Sequence, residues 1–350
     1  MSSQAPMVDR PVVRFVDAQI EMAHGAGGKA TRRLLEGLIA PLLLDHSTSL
    51  SDAAIVPCNG MPIAFTADSF VVKPLRFPGG SIGELAVNGT LNDLAVSGAV
   101  PRALLVTLVL EAGLPGSVLE AEVRAIAEAT RRAGVAVVGG DTKVVEHGKA
   151  DGMFITTAGI GVLDPRARLS ADAVRPGDQV LVSGYIGDHG CTVLLARGQL
   201  ELETSLRSDT RCVRPLVDRL LDAAAAGVRW MRDPTRGGVA TALNELARET
   251  GLSVAIREDR MPIRDEVRGV CELLGLDPLH IANEGQFIAV VEPALAELAL
   301  EALRRAPGGE AAAIIGELRA APARTVMATS PHGGARAIDM LVGDPLPRIC

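Results

Sequence analysis

Aromatic side chains are scarce in this sequence. One Trp, one Tyr and six Phe make up 2% of 350 residues, which leaves no material for the stacking platforms that bind single-stranded nucleic acid. Basic charge is not in excess either. The formal net charge is −7, which speaks against general nucleic-acid binding. No uninterrupted apolar run of about 20 residues exists, so nothing reads as a membrane span. Residues 1–13 lack the basic-then-apolar pattern of a signal peptide. Together these absences point to a cytoplasmic protein. Lysine occurs only at Lys29, Lys73, Lys143 and Lys149. The five cysteines, Cys58, Cys191, Cys212, Cys271 and Cys350, include no C-x-x-C pair, so no metal–sulfur site built from this chain alone is expected.

What is present is ample core material. Apolar residues are 48% and charged residues 22%, ordinary for a two-domain globular chain of this length. Strand-like and helix-like patterns alternate in both halves, an α/β or α+β signature. The spacing predicts helices over 30–44, 82–96, 118–133, 210–226, 237–249 and 293–305. Short apolar runs predict strands at 53–57, 63–67, 70–72, 104–110, 135–138, 154–162, 180–183, 228–231, 253–256 and 287–291, with weaker ones at 313–316, 325–328 and 337–340. The polar, Pro- and Gly-containing stretch 164–178 marks a domain boundary. The resulting division is 1–165, 166–329 and a terminal segment 330–350.

Acidic residues sit at unusual places. Asp52 precedes an apolar run and Asp68 follows one. Asn92 and Asp93 lie within an apolar helix, with Asn88 one turn earlier. Asp141 follows Gly139 and Gly140 at a predicted strand end, and Asp233 follows another strand. Any one of these also fits a helix cap or turn. An unpaired buried carboxylate is costly, however, so five in one chain point to a shared positive centre. Mg²⁺ held between carboxylates and phosphate oxygens meets that requirement. Glycine loops at 25–28 and 139–140 would let backbone N–H groups approach phosphate. The first loop fails the P-loop pattern, because Ala23 and Ala30 stand at required positions. It does satisfy the looser Gly25-x-Gly27-x-x-Ala30 dinucleotide pattern, but Asp45, the matching acid, follows a helix rather than a second strand. His189, opening a helix in Gly187-Asp-His-Gly190, and Glu284, between Asn283 and Gly285, are each either site residues or plain loop residues.

Cys350 is the last residue, on a tail carrying Pro345 and Pro347. From Ser330, about 20 residues at roughly 3.3 Å each would reach some 65 Å. Its own α-carboxylate disfavours the thiolate, so its electrophile has to be strongly activated or a cation has to stand where it docks. As the final residue it fails the C-a-a-X prenylation pattern. A frayed end is the plain alternative.

The segments Asp52-Ala-Ala-Ile-Val, Thr66-Ala-Asp68, Asn92-Asp93-Leu-Ala, Gly139-Gly-Asp-Thr142, Gly187-Asp-His-Gly190 and Asp233-Pro-Thr-Arg-Gly-Gly span most of the chain. They resemble the PurM-like ATPase superfamily, which includes aminoimidazole ribotide synthetase, selenophosphate synthetase and thiamine-monophosphate kinase. The ending Pro347-Arg-Ile-Cys350 is similar to that of the HypE family, the carbamoyl dehydratases of [NiFe]-hydrogenase maturation. This resemblance implies an α/β two-domain PurM-like fold whose N-terminal domains pair in a homodimer and close a β-barrel. It implies ATP and Mg²⁺, a carbamoyl group delivered to Cys350 by HypF, and cyanide passed to an iron-carrying HypC–HypD complex. Carried onto this sequence, it implies Mg²⁺ ligation by Asp52, Asp93 and Asp233. Nucleotide contacts would come from Asp52, Asp68, Asn92, Asp93, Gly140, Asp141 and Lys143. Catalysis would rest on Cys350 with Lys143 or Glu284 as base. The alternatives are a small-molecule kinase of the same superfamily, such as a thiamine-monophosphate kinase, and a non-enzymatic scaffold that uses its tail only to dock a partner.

Overall fold

The computed structural model describes residues 14–44, 50–198, 202, 204–343, 346 and 348–350. Asp45 lies outside them. In chain order, α1 (Lys29–Leu34) runs through a π-turn, Leu35–Ile39, into α2 (Ala40–Leu43). Then come β1 (Ala54–Cys58), β2 (Met61–Phe70), the short β3 (Arg76–Phe77) and β4 (Gly80–Ser81), α3 (Ile82–Val96), β5 (Ala99–Glu111), α4 (Gly116–Ala133), β6 (Ala136–Val145) and β7 (Met153–Leu163). The second half comprises β8 (Gln179–Val182), α5 (Asp188–Ala196), α6 (Arg214–Ala224), β9 (Val228–Arg232), α7 (Gly238–Thr250), β10 (Ser253–Arg257) and α8 (Asp265–Leu274). It ends with β11 (Ile288–Val291), α9 (Pro293–Arg304), β12 (Ala313–Arg319), β13 (Thr325–Thr329) and β14 (Ala335–Ile338).

Two main sheets result. The first has the order β1-β2-β7-β5-β6, with β5 and β6 parallel and the other pairs antiparallel. The second has the order β14-β13-β10-β12-β8-β11-β9, and its parallel pair is β10 with β13. The first sheet is open in the single chain, so the described residues close no barrel. Its inner face packs on α3. There β7 alternates buried Met153, Ile155 and Thr157 with more exposed neighbours, the period-two pattern of a sheet covered on one side. The outer face carries Phe65, Leu105 and Ile160, all exposed. At one edge β6 is exposed along nearly its whole length.

The helix α3 joins the halves. Thirteen of its residues are buried, because the first sheet covers one side and the second domain the other. Its C-terminal Ala95 and Val96 enter the core formed by α6 and α9. A helix that is apolar all round has to be covered all round, and this burial fixes Asn88, Asn92 and Asp93 at the seam between domains.

Several sequence expectations change in detail. The two runs at 63–67 and 70–72 belong to one long β2 and its extension. Gly139-Gly140-Asp141 does not end a strand; it lies in the middle of β6, held in parallel register with Leu105, Val106 and Thr107 of β5. In the Gly-rich loop at 25–28, the N–H groups of Ala26 and Gly27 donate to the Ala23 carbonyl and to Thr31 Oγ1, at 3.4 and 2.9 Å. The N–H groups of Lys29 and Ala30 donate to the carbonyls of Leu341 and Val342, at 2.8 and 3.2 Å. A Cβ at Gly28 would stand 2.2 Å from the Leu341 oxygen, so glycine here permits strand-like approach of two chain segments.

Candidate active site at the domain seam

Three acids from distant parts of the chain converge. Asp52 stands before β1, Asp93 in the last turns of α3 and Asp233 just after β9. One carboxylate oxygen from each lies within 4.8 Å of the others. Asp68, from β2, adds a fourth acid beside Asp93, whose Oδ2 accepts from Thr66 Oγ1 at 2.9 Å. Burial, then the neighbouring acids, pushes the carboxyls of Asp93 and Asp233 well above the usual range. Burial raises Asp52 to about 6 against the opposing pull of Arg232, whose Nε lies 3.1 Å away. One guanidinium therefore faces three clustered carboxylates. Hard oxygen donors gathered this closely, with their charge incompletely matched, fit a hard divalent cation such as Mg²⁺.

The wall of this site is a small cavity of about 40 Å³ lined by Asp68, Phe70, Asp93, Asp233, Glu284 and Cys350, with Thr235 and Arg236 beside them. Glu284 is buried, and its Oε1 finds no hydrogen-bond partner among the described residues. Burial, then the charges of Asp233 and Asp209, holds its carboxyl well above the ordinary value. The loop that carries it is fixed from two sides. Asp209 accepts from the N–H groups of Glu284 and Gly285, at 3.1 and 3.2 Å. The Asn92 amide donates to the carbonyls of Arg211 and Glu284, while its oxygen accepts from Val213 N–H at 2.8 Å. Asn92, expected to touch a nucleotide, thus spends its polar atoms tying α3 to the second domain.

Cys350 does not end a frayed tail. Cys350 lines the cavity with Asp68 and Glu284, and an oxygen of its terminal carboxylate accepts from Val71 N–H at 3.0 Å. Ile349 and Leu346 are buried in the core.

The structure does not bring Gly140, Asp141 and Lys143 to these acids within one chain. Asp68 pairs across the sheet with Thr157, which pairs with Val106, which pairs with Gly140. At about 4.8 Å per strand this is some 14 Å. Asp141 and Lys143 pair with each other at 2.7 Å on the exposed edge strand. Gly140 and Asp141 line a separate groove of about 800 Å³ between β6 and α4, with Val106, Ile126, Thr130 and Val137.

Sequence reasoning missed Arg232, Arg236 and Asp209. Arg232 and Arg236 flank Asp233 in a segment already singled out for its acid. Clustered carboxylates need nearby cations, and that was the available signal. Asp209 gave none.

Two family models match the chain, "AIR synthase related protein, N-terminal domain" over residues 50–163 and "AIR synthase related protein, C-terminal domain" over residues 175–328. Carbamoyl dehydratase HypE from Azotobacter vinelandii is 48% identical over 338 residues, covering 95% of this chain and 98% of that protein. A solved HypE–HypF complex matches with TM-score 0.83 and 42% identity over 88% of this chain and 99% of the matched one. HypE in complex with ATP matches with TM-score 0.79 and 42% identity over 94% and 99%. With both halves matched and this identity sustained along nearly its full length, the chain belongs to the HypE family of AIR synthase-related proteins.

Proposed function

We propose that the chain is the ATP-dependent carbamoyl dehydratase of [NiFe]-hydrogenase maturation and that Cys350 carries the group it dehydrates. The observation that carries this reading is the terminal Cys350 lining one cavity with Asp68, Asp93, Asp233 and Glu284. A small-molecule kinase of the same fold would have no use for a C-terminal thiol held there. The relative solved with ATP supports the nucleotide, and the relative solved with HypF supports HypF as the donor of the carbamoyl group. A HypC–HypD complex would receive the cyanide.

The carbamoyl oxygen of Cys350–S–C(=O)NH₂ attacks the γ-phosphorus of ATP, and ADP leaves. The nitrogen then loses its two protons, the C–O bond breaks and phosphate departs with the former carbonyl oxygen. Cys350–S–C≡N remains. Phosphorylation is needed because oxide is a poor leaving group and phosphate a good one. Positioning and charge neutralisation do most of the work in phosphoryl transfer. Asp52, Asp93 and Asp233 would hold Mg²⁺, which neutralises phosphate charge when bound. Asp68 would face the phosphates, and Arg236, beside the cavity, would meet phosphoryl oxygens. Glu284 is suited to take a proton from nitrogen, since its site favours the protonated form once it has done so. Lys143 is the alternative base, and with Asp141 it would serve the phosphate region.

The exposed outer face of the first sheet and the long exposed β6 support a homodimer in which two N-terminal sheets pair. In such a dimer Gly140, Asp141 and Lys143 would reach the site of the partner protomer. Mass spectrometry of the C-terminal peptide after incubation with HypF, carbamoyl phosphate and ATP tests the reading. A carbamoyl adduct converting to a cyano adduct on Cys350 is expected, and its persistence in Cys350→Ala would sink it.

A further inference from the structure

The docked tail is held by several contacts of different kinds. Lys73 N–H donates to the Arg348 carbonyl at 3.3 Å, beside the Val71–Cys350 bond. Arg197 Nη2 donates to the same Arg348 carbonyl at 2.8 Å, and Arg348 pairs with Asp151 at 2.6 Å. These arginine contacts stand at the surface.

His189 is different. It is the second residue of α5 and is completely buried. Gly187, with φ of 85°, makes the turn into the helix, and this turn points the imidazole inward. Nε2 lies 2.7 Å from the carbonyl oxygen of Ile349, and Nδ1 lies 2.8 Å from Ser208 Oγ. The Phe77 ring meets the imidazole edge-on at 5.4 Å. A carbonyl can only accept, so Nε2 carries the hydrogen and Nδ1 accepts from the serine hydroxyl. Burial keeps the ring neutral, lowering its pKa to about 4. A neutral donor binds less tightly than a charged one. That suits a tail that has to leave the site for loading and return.

We infer that His189 is a positioning residue, holding the Ile349 carbonyl so that the adjacent Cys350 presents its sulfur to the carboxylate pocket. The inference rests on Cys350 as the carrier.

The test is the rate at which iodoacetamide alkylates Cys350 in the resting full-length protein, read on the C-terminal peptide. Single-turnover conversion of the carbamoyl to the cyano adduct is measured in parallel. His189→Leu is expected to raise alkylation roughly three- to tenfold, the worth of one neutral hydrogen bond. It should slow conversion by a similar factor and leave the KM for ATP unchanged. His189→Gln, whose side-chain amide can donate from a similar distance, should return both toward wild type. Arg197→Ala, a surface change that empties no core, should expose the sulfur in the same direction. Wild-type alkylation rates in both His189→Leu and Arg197→Ala, or a Gln variant no better than Leu, would overturn the inference. If alkylation responds as expected while no protein, wild type included, yields a cyano adduct, the latch stands and the dehydratase reading falls.

Discussion

Asp93 sets a hydrogen bond from Thr66 Oγ1 against the cost of its crowded charge. It is half-buried beside Asp68 and within reach of Asp52 and Asp233, so its ionised form costs folding free energy that a cation can return. Asp93→Asn should therefore stabilise the cation-free protein by on the order of 1–2 kcal/mol and abolish the rise in Tm on adding MgCl₂. Paired thermal melts with and without magnesium check both halves. His189 supplies a second residue-scale expectation. Its folded pKa of about 4 lies below the unfolded value of about 6.5, so the unfolded chain binds the extra proton between these limits. Stability from a neutral buried His is present above about pH 6.5 and is lost as pH falls toward 4. Asp188 next to it, raised to about 6 chiefly by burial, acts in the opposite sense over much the same window. The wild-type profile should thus be shallow. His189→Gln removes one arm, so its stability relative to wild type should climb by about 3 kcal/mol on acidification from pH 6.5 to 4, measured by urea unfolding at each pH. The acids were legible in the sequence because buried carboxylates demand a reason. Asp209 was not, because its role depends on the backbone of Glu284 and Gly285, some 75 positions away.

At the scale of elements, β6 is the lesson. Gly139-Gly140 looks like a strand terminator, since glycine weakens a strand and commonly marks a bend. The strand continues because Gly140 passes so close to β5 that no side chain fits. A Cβ there would lie 1.7 Å from the Val106 carbonyl oxygen. Gly140→Ala should consequently push β5 and β6 apart and destabilise the protein by more than about 2 kcal/mol, seen as a lower urea midpoint. The long helix α3 was read correctly to the residue, because its apolar run has no competing signal. The helix α8 was missed. Gly269 interrupts its pattern, and its buried face of Val267, Val270 and Cys271 is visible only once α5 is packed against it. Likewise, Asn92 could not be recognised as a strut from sequence, because all its partners lie more than a hundred positions away.

For the whole molecule, the separation of Lys143 from the acid cluster has a consequence that mixing can reveal. If the partner protomer supplies Lys143, heterodimers of Asp93→Asn and Lys143→Ala chains contain one wild-type site. Two inactive preparations should then regain activity on mixing, toward about half the wild-type level per heterodimer. Sites formed within one chain would stay dead. Phe65→Asp, on the outer face of the first sheet, should yield monomers on size-exclusion chromatography and remove that rescue. The mixed α/β character of both halves was legible from alternation, whereas which surface meets which was not, because exposure is a property of the folded sheet. One feature of the fold also shortens the tail's range. The carbonyls of Leu341 and Val342 are stitched to Lys29 and Ala30, so the leash begins at Gly343 and not at Ser330. Eight residues at roughly 3.3 Å each pay out about 26 Å of line, and an enzyme loading the terminal sulfur has to bring its own catalytic centre inside that radius.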